Sequence, residues 1–155
     1  MAPLPAQVVE FLRGRRIAVV GVSRSGGQPA NAIFRKFRDC GYAVVAVNPH
    51  ATRLEGEACY PDLQSVPGTV DGVVVAVPPA AAADIVRQAH GRGITRVWFH
   101  RSLGAGSVSP AALEACVECG ITPIVGGCPL MYLEPVDPAH RCFRWVLRLL
   151  GRLPG

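Results

Sequence analysis

The chain has 155 residues, half of them hydrophobic and 17% charged, and carries a formal net charge of +5 at pH 7. That length suits one domain around one core, and the composition excludes a disordered chain. No apolar run approaches the length of a bilayer span, and Met1 to Gln7 lack a basic start followed by an apolar stretch, so the cytoplasm is the expected compartment.

The basic excess gathers near the end, at Arg141, Arg144, Arg148 and Arg152, which suits an anionic ligand or partner without choosing among them. Six cysteines with no secretory leader read as reduced thiols rather than a disulfide framework.

Pro5 to Arg13 is compatible with a short opening helix. Arg16 to Gly21 is a continuous apolar run ended by glycine, the pattern of a parallel strand buried on both faces. From Pro29 to Cys40 the apolar Ala30, Ile33, Phe34 and Phe37 fall at helical spacing, and Gly41 stops the helix. Tyr42 to Val47 is a second strand, ended by Asn48-Pro49. Residues 51–70 are irregular, with a short edge strand near Glu57 to Tyr60. Val70 to Val77 is a third buried strand, stopped by Pro78-Pro79. A helix over Ala80 to Arg92, a strand over Arg96 to His100 and a helix over Ser109 to Cys119 follow, the last with Ser109 as N-cap and Pro110 at the first helical position. Ile121 to Val125 is a fifth strand, and Pro138 to Leu150 a closing helix.

This alternation predicts a single α/β domain over residues 1–155: a Rossmann-like, doubly wound parallel sheet of about five strands, with right-handed crossovers and helices on both faces. Ligands of such sheets sit at the carboxyl ends of the strands, where the strand order reverses. The loops to inspect are therefore 21–28, 48–54, 77–80, 100–108 and 126–134.

In the first loop, Gly21 permits a tight turn between a strand and a helix N-terminus, whose free N–H groups suit a phosphate. Ser23 and Ser25 add hydroxyls, and Arg24 adds a permanent charge. The stretch Gly21-Val22-Ser23-Arg24-Ser25-Gly26 is not a clean dinucleotide fingerprint, because Ser23 occupies the second glycine position. The second strand ends in Asn48-Pro49-His50, where an NAD site needs an acid for the ribose hydroxyls. An anion is expected at this loop, and NAD is disfavoured.

From about Ile17 to Glu134 the chain resembles the small stand-alone CoA-binding proteins, relatives of the CoA-binding domain of the succinyl-CoA synthetase alpha subunit. The resemblance lies in Ile17 to Arg24, Gly41 to Pro49, Gly56 with Cys59 to Leu63, Val70 to Pro78, Arg96-Val97-Trp98 and Cys128-Pro129. It implies coenzyme A held across the strand ends. Gly21, Val22, Ser23, Arg24 and Ser25 would hold phosphate groups. Asn48, Pro49 and His50 would lie against the nucleotide, and Arg53 would meet the 3′-phosphate. Val77, Pro78 and Pro79 would line the adenine or pantetheine side. The chain departs from the family pattern over Phe99 to Gly104 and at Gly126-Gly127, where the thiol end or a substrate would go. The synthetase's phosphohistidine belongs to a separate domain, so ligase activity is not expected.

Cys116 and Cys119 have a redox or metal spacing, but they sit at the wrong end of a helix for a thiolate and read as structural thiols. Cys128, in the loop after the fifth strand, stands on the ligand side and is a candidate to face the CoA thiol. His50 and His100 read as polar rim residues, and His90 and His140 as exposed. The basic closing helix reads as packed on the sheet with a solvated face, and Trp145 marks a homodimer contact. The expected function is binding of CoA or an acyl-CoA without strong catalysis. The alternatives are an NAD(P)-linked oxidoreductase and a partner protein that senses CoA or redox state through Cys128; no nucleic acid or membrane partner is expected.

Overall fold

The computed structural model describes residues 3–101 and 106–154. In chain order its elements are α1 (Ala6–Leu12), β1 (Arg16–Val20), α2 (Pro29–Asp39), β2 (Ala43–Val47), β3 (Arg53–Leu54), β4 (Glu57–Tyr60), β5 (Gly72–Val75), α3 (Pro79–Gly91), β6 (Val97–Phe99), α4 (Pro110–Glu118), β7 (Ile124–Val125), a 3-10 turn (Pro129–Met131) and α5 (Pro138–Leu149). The sheet has seven strands in the order β3-β4-β2-β1-β5-β6-β7. Six run parallel, and β3 pairs antiparallel with β4 at the edge. The Rossmann-like α/β fold stands, widened at that edge by a hairpin.

Why the strands read as unbroken apolar runs is plain from the packing. Ala18, Val20, Val45, Val47, Val73, Val75, Val97 and Phe99 point into one core, under Ala82, Val86 and Ala89 of α3 and Ala112 and Ala115 of α4. Their neighbours Ile17, Val19, Ala46, Val74 and Trp98 point the other way, against Phe11 of α1, Ile33, Phe34 and Phe37 of α2 and Leu147 of α5. Period-two alternation is present, but both faces are apolar because both are covered.

Three boundaries differ from the sequence pattern. The fifth predicted strand contracts to Ile124–Val125, because the Ile121 N–H closes the end of α4 onto the Cys116 carbonyl (2.8 Å) and Pro123 has no N–H to give. The third contracts to Gly72–Val75, flanked by Asp71, whose carboxylate accepts the N–H groups of Arg15 (2.8 Å) and Arg16 (2.9 Å). The β3–β4 hairpin turns on Glu55 and Gly56, both at positive φ (53° and 80°), as a two-residue type I′ turn requires. Glutamate is an uncommon occupant there, so composition did not announce the turn. Beyond β4, Arg92 pins the irregular stretch by donating to the carbonyls of Leu63, Val66 and Gly68.

Candidate functional site

Register sets the site. Val20 stands opposite both Val47 and Val75, Val75 opposite Phe99, and Phe99 opposite Val125. The strands thus end in one row, and the loops that leave them form one rim. The chain runs from β1 outward to β2 and β4, then returns to the other side of β1 for β5, β6 and β7. The order reverses between β1 and β5, where Gly21 and Ala76 leave the sheet.

Gly21 is required there by the fold itself. Its φ is +111°, and a Cβ would stand 2.1 Å from the Ala76 carbonyl oxygen. Room on the outer side comes from Gly26 and Gly27, where a Cβ would meet nothing within 4 Å. The loop between them is held by Asn31 in the first turns of α2, which is 1% exposed. Its Oδ1 accepts from the Ser23 N–H (2.9 Å), and its Nδ2 donates to the Ser23 carbonyl (2.7 Å) and to Glu55 Oε1 (2.7 Å). Arg35 donates to the same Glu55 oxygen (2.7 Å), and Arg38 donates to the Glu55 carbonyl (2.7 Å). The Ser23 and Ser25 hydroxyls lie 3.0 Å apart, and the Ser25 N–H donates to Ser23 Oγ (3.2 Å). Among the described residues, the N–H groups of Arg24, Gly27 and Gln28 donate to no protein acceptor and are available to a ligand. Phosphate-type N–H groups therefore come from the loop rather than from the first residue of α2, which is Pro29.

Among the described residues, three cavities follow the rim. The first, about 560 Å³, lies at the β2 and β4 end and is lined by Arg24, Pro49, His50, Thr52, Arg53 and Cys59 among others. The second, about 410 Å³, lies over the reversal point and includes Gly21, Gln28, Pro29, Val77, Pro78 and His100. The third, about 330 Å³, lies toward β7 and shares Gln28, Pro29 and His100 with the second while adding Cys128 and His140.

The sequence candidates divide among these. Arg24, Pro49, His50 and Arg53 meet at the first cavity; Gly21, Val77 and Pro78 meet at the second; Cys128 stands apart at the third. Ser23 and Ser25 shape the first loop. The Val22 side chain is 0% exposed and packs in the core, so this residue meets the loop through its backbone. Pro79 begins α3 and lies outside the lining of the second cavity. Asn48 acts by positioning, since its Nδ2 donates to the Val22 carbonyl (2.8 Å) and its Oδ1 accepts the His50 N–H (2.8 Å). Arg53 also donates to the Gly56 carbonyl (2.9 Å), which closes the hairpin. Arg24 has no side-chain partner among the described residues. Of the stretch Phe99 to Gly104, where the chain departs from the family pattern, positions 102–104 lie outside the described residues.

Burial pushes the Cys128 thiol up to about 12, so it is protonated at neutral pH and a poor nucleophile. Cys116 is likewise pushed up to about 11, mainly by burial. Burial lowers His100, which keeps that imidazole neutral at neutral pH. His140 is not the exposed helix residue expected: it is half-buried, lines the third cavity and bonds through Nδ1 to the N-cap Asp137 (2.6 Å). Sequence reasoning also missed Asn31 and Glu55. The only available signal was an asparagine lying between Ala30 and Ile33 on an otherwise apolar helix face.

Residues 15–134 match the family described as "CoA binding domain". Two relatives from Archaeoglobus fulgidus are named acetate–CoA ligase (ADP-forming). The first is 29% identical over 82 residues, 52% of this chain and 12% of that one. The second is 28% identical over 102 residues, 66% of this chain and 14% of that one. The chain therefore spans only a small part of the curated ligases it matches. Among solved structures, Prb, described as the PH1109 protein redesigned for binding, has a TM-score of 0.72 at 27% identity and covers 97% of this chain and 96% of its own.

Proposed function

The chain belongs to the CoA binding domain family, and from that membership we propose that it binds coenzyme A or an acyl-CoA across the carboxyl ends of β2, β1 and β5, as a binding or regulatory protein without strong intrinsic catalysis. The observation that carries the reading is the meeting of Arg24, His50 and Arg53 at one end of the rim, beside the open loop N–H groups of Arg24, Gly27 and Gln28. Guanidinium groups suit phosphate oxygens bidentately. The nucleotide and its 3′-phosphate go to this cationic end, the pyrophosphate to the loop, and pantetheine runs over Gly21, Val77 and Pro78.

Neither alternative gains support. An NAD(P)-linked oxidoreductase needs a ribose-binding acid after β2, and Asn48 stands there with its amide already engaged. A redox sensor needs an accessible thiolate, and Cys128 is 3% exposed. The ligase chemistry of the Archaeoglobus relatives is not carried over, because the matched segment is 14% or less of those chains. We place the protein in the cytoplasm, as suits six unpaired cysteines. A homodimer through α5 is part of the same reading, since Trp145 is 62% exposed. Light scattering at working concentration reads it, and a monomer mass removes it.

Calorimetric titration with CoA, dephospho-CoA and NAD tests the ligand. CoA should bind, and dephospho-CoA should bind about tenfold or more weakly through loss of a charge-assisted contact. Arg24→Ala and Arg53→Ala should weaken CoA and erase part of that preference. Tight NAD binding with no CoA binding overturns the reading.

A further inference from the structure

We propose that the third cavity is an acyl pocket, so that the preferred ligand is an acyl-CoA with a short to medium apolar chain rather than free CoA. The inference rests on the CoA reading above and extends it to the other end of the ligand.

Continuity is the first support. Gln28, Pro29 and His100 line both the second and the third cavity, so a pantetheine arm laid over the strand ends leads directly into the third. The second support is the chemistry of its wall. Ala32 of α2, Leu130 of the 3-10 turn and Phe143 of α5 supply apolar surface from three separate elements, backed by the buried Met131 and Leu147. The one guanidinium there, that of Arg35, is already bonded to Glu55 and to the Gly26 carbonyl. At the opposite end of the rim, Arg24 and Arg53 face the first cavity. The rim therefore runs from cationic to apolar, matching a ligand with phosphates at one end and a hydrocarbon tail at the other. Free CoA ends in a thiol and would leave the apolar wall wet.

At the neck between the two cavities stands His100, whose ring has no partner among the described residues. A thioester carbonyl beside it would accept its ring N–H more strongly than a thiol sulfur does. In size, about 330 Å³ is the room of roughly ten waters, enough for a chain of about four to eight carbons. Phe143 lies beyond residues 15–134, so the α5 side of the pocket comes from outside the stretch matched to the family.

The test is titration of the full chain with CoA, acetyl-CoA and hexanoyl-CoA. Burying a methylene tightens binding about fourfold, so hexanoyl-CoA should bind on the order of 100-fold more tightly than acetyl-CoA. Ala32→Phe fills the pocket and should bring hexanoyl-CoA down to the affinity of CoA, while CoA itself binds as before. Phe143→Ala, on a partly exposed wall that can be cut without emptying the core, should reduce the chain-length gain if Ala32→Phe does not fold. Equal binding of CoA and hexanoyl-CoA, or a chain-length gain that survives in the folded variants, overturns the pocket alone. Binding of neither CoA nor acyl-CoA overturns the CoA reading and the pocket with it.

Discussion

Replacing Asn31 by aspartate is the sharpest probe of how the first loop is held. The change keeps size and shape and keeps Oδ1, which accepts the Ser23 N–H. It turns Nδ2 into an oxygen facing two acceptors at 2.7 Å, the Ser23 carbonyl and Glu55 Oε1. One neutral bond is worth about 1 kcal/mol and one bond to a charged group about 1.5–3 kcal/mol. The loss is therefore about 2.5–4 kcal/mol at neutral pH, before any repulsion between the two carboxylates, out of a total stability of about 5–15 kcal/mol. Burial and Glu55 both raise the native-state value of the new carboxyl above its unfolded value of about 3.9. A raised native value means that the protonated form is favoured in the fold. The deficit of Asn31→Asp should thus be smallest below about pH 4 and grow as pH rises through the raised native value. Urea denaturation of wild type and variant at neutral and acid pH measures it, and CoA titration should show a weakened site. A variant within about 0.5 kcal/mol of wild type at neutral pH, or a gap that does not shrink with acid, would refute the account.

Gly21→Ala should cost about 3–5 kcal/mol, from left-handed strain plus a Cβ driven into the Ala76 carbonyl, and lower the melting temperature by about 10 °C in calorimetry. A shift under about 2 °C would mean that the β1–β5 junction yields more easily than its geometry implies. Asp71 is held below the usual carboxylate range, first by the Arg16 N–H and then by the Arg15 N–H. Its contribution is therefore present above the unfolded value of about 3.9 and fades as pH falls through the lower native value. The melting temperature of Asp71→Asn should accordingly lie below wild type at neutral pH, with a gap that closes in strong acid; a constant gap counts against the linkage. Iodoacetamide at neutral pH should label exposed Cys142 and spare Cys128 in peptide mass spectra, because the Cys128 thiol is buried and pushed up to about 12. Rapid labelling of Cys128 would revive the redox reading.

The local part of this fold was legible because each strand and helix carries its own signal. Apolar runs closed by Gly21 or Pro78-Pro79, and the Ser109-Pro110 start of α4, needed no distant partner to be recognised. The Ser109 hydroxyl does accept the Ala112 N–H (3.1 Å), as a cap should. What escaped were features set by contacts across the chain. The short β3 exists only as the partner of β4, and the ends of β5 and β7 are trimmed by Asp71 and by the closure of α4.

For the candidate site, residues that border the first cavity could be read from loop positions, but the residues that hold those loops could not. Arg24 from the loop after β1, Pro49 and His50 from the loop after β2, and Arg53 of β3 border one cavity, because β1 and β2 end in register. The groups that fix those loops are Asn31 and Glu55, 24 positions apart. Glu55 sits at a positive φ, a conformation costing about 1–2 kcal/mol for a residue with a side chain. The contacts from Asn31, Arg35 and Arg38 offset that strain. The hairpin turn and the first loop are consequently one mechanical unit: whatever loosens Glu55 also frees Ser23. An acid that looks like a surface charge in the sequence thus belongs to the frame of the candidate site. Its role depends on a type I′ turn that only the folded sheet reveals.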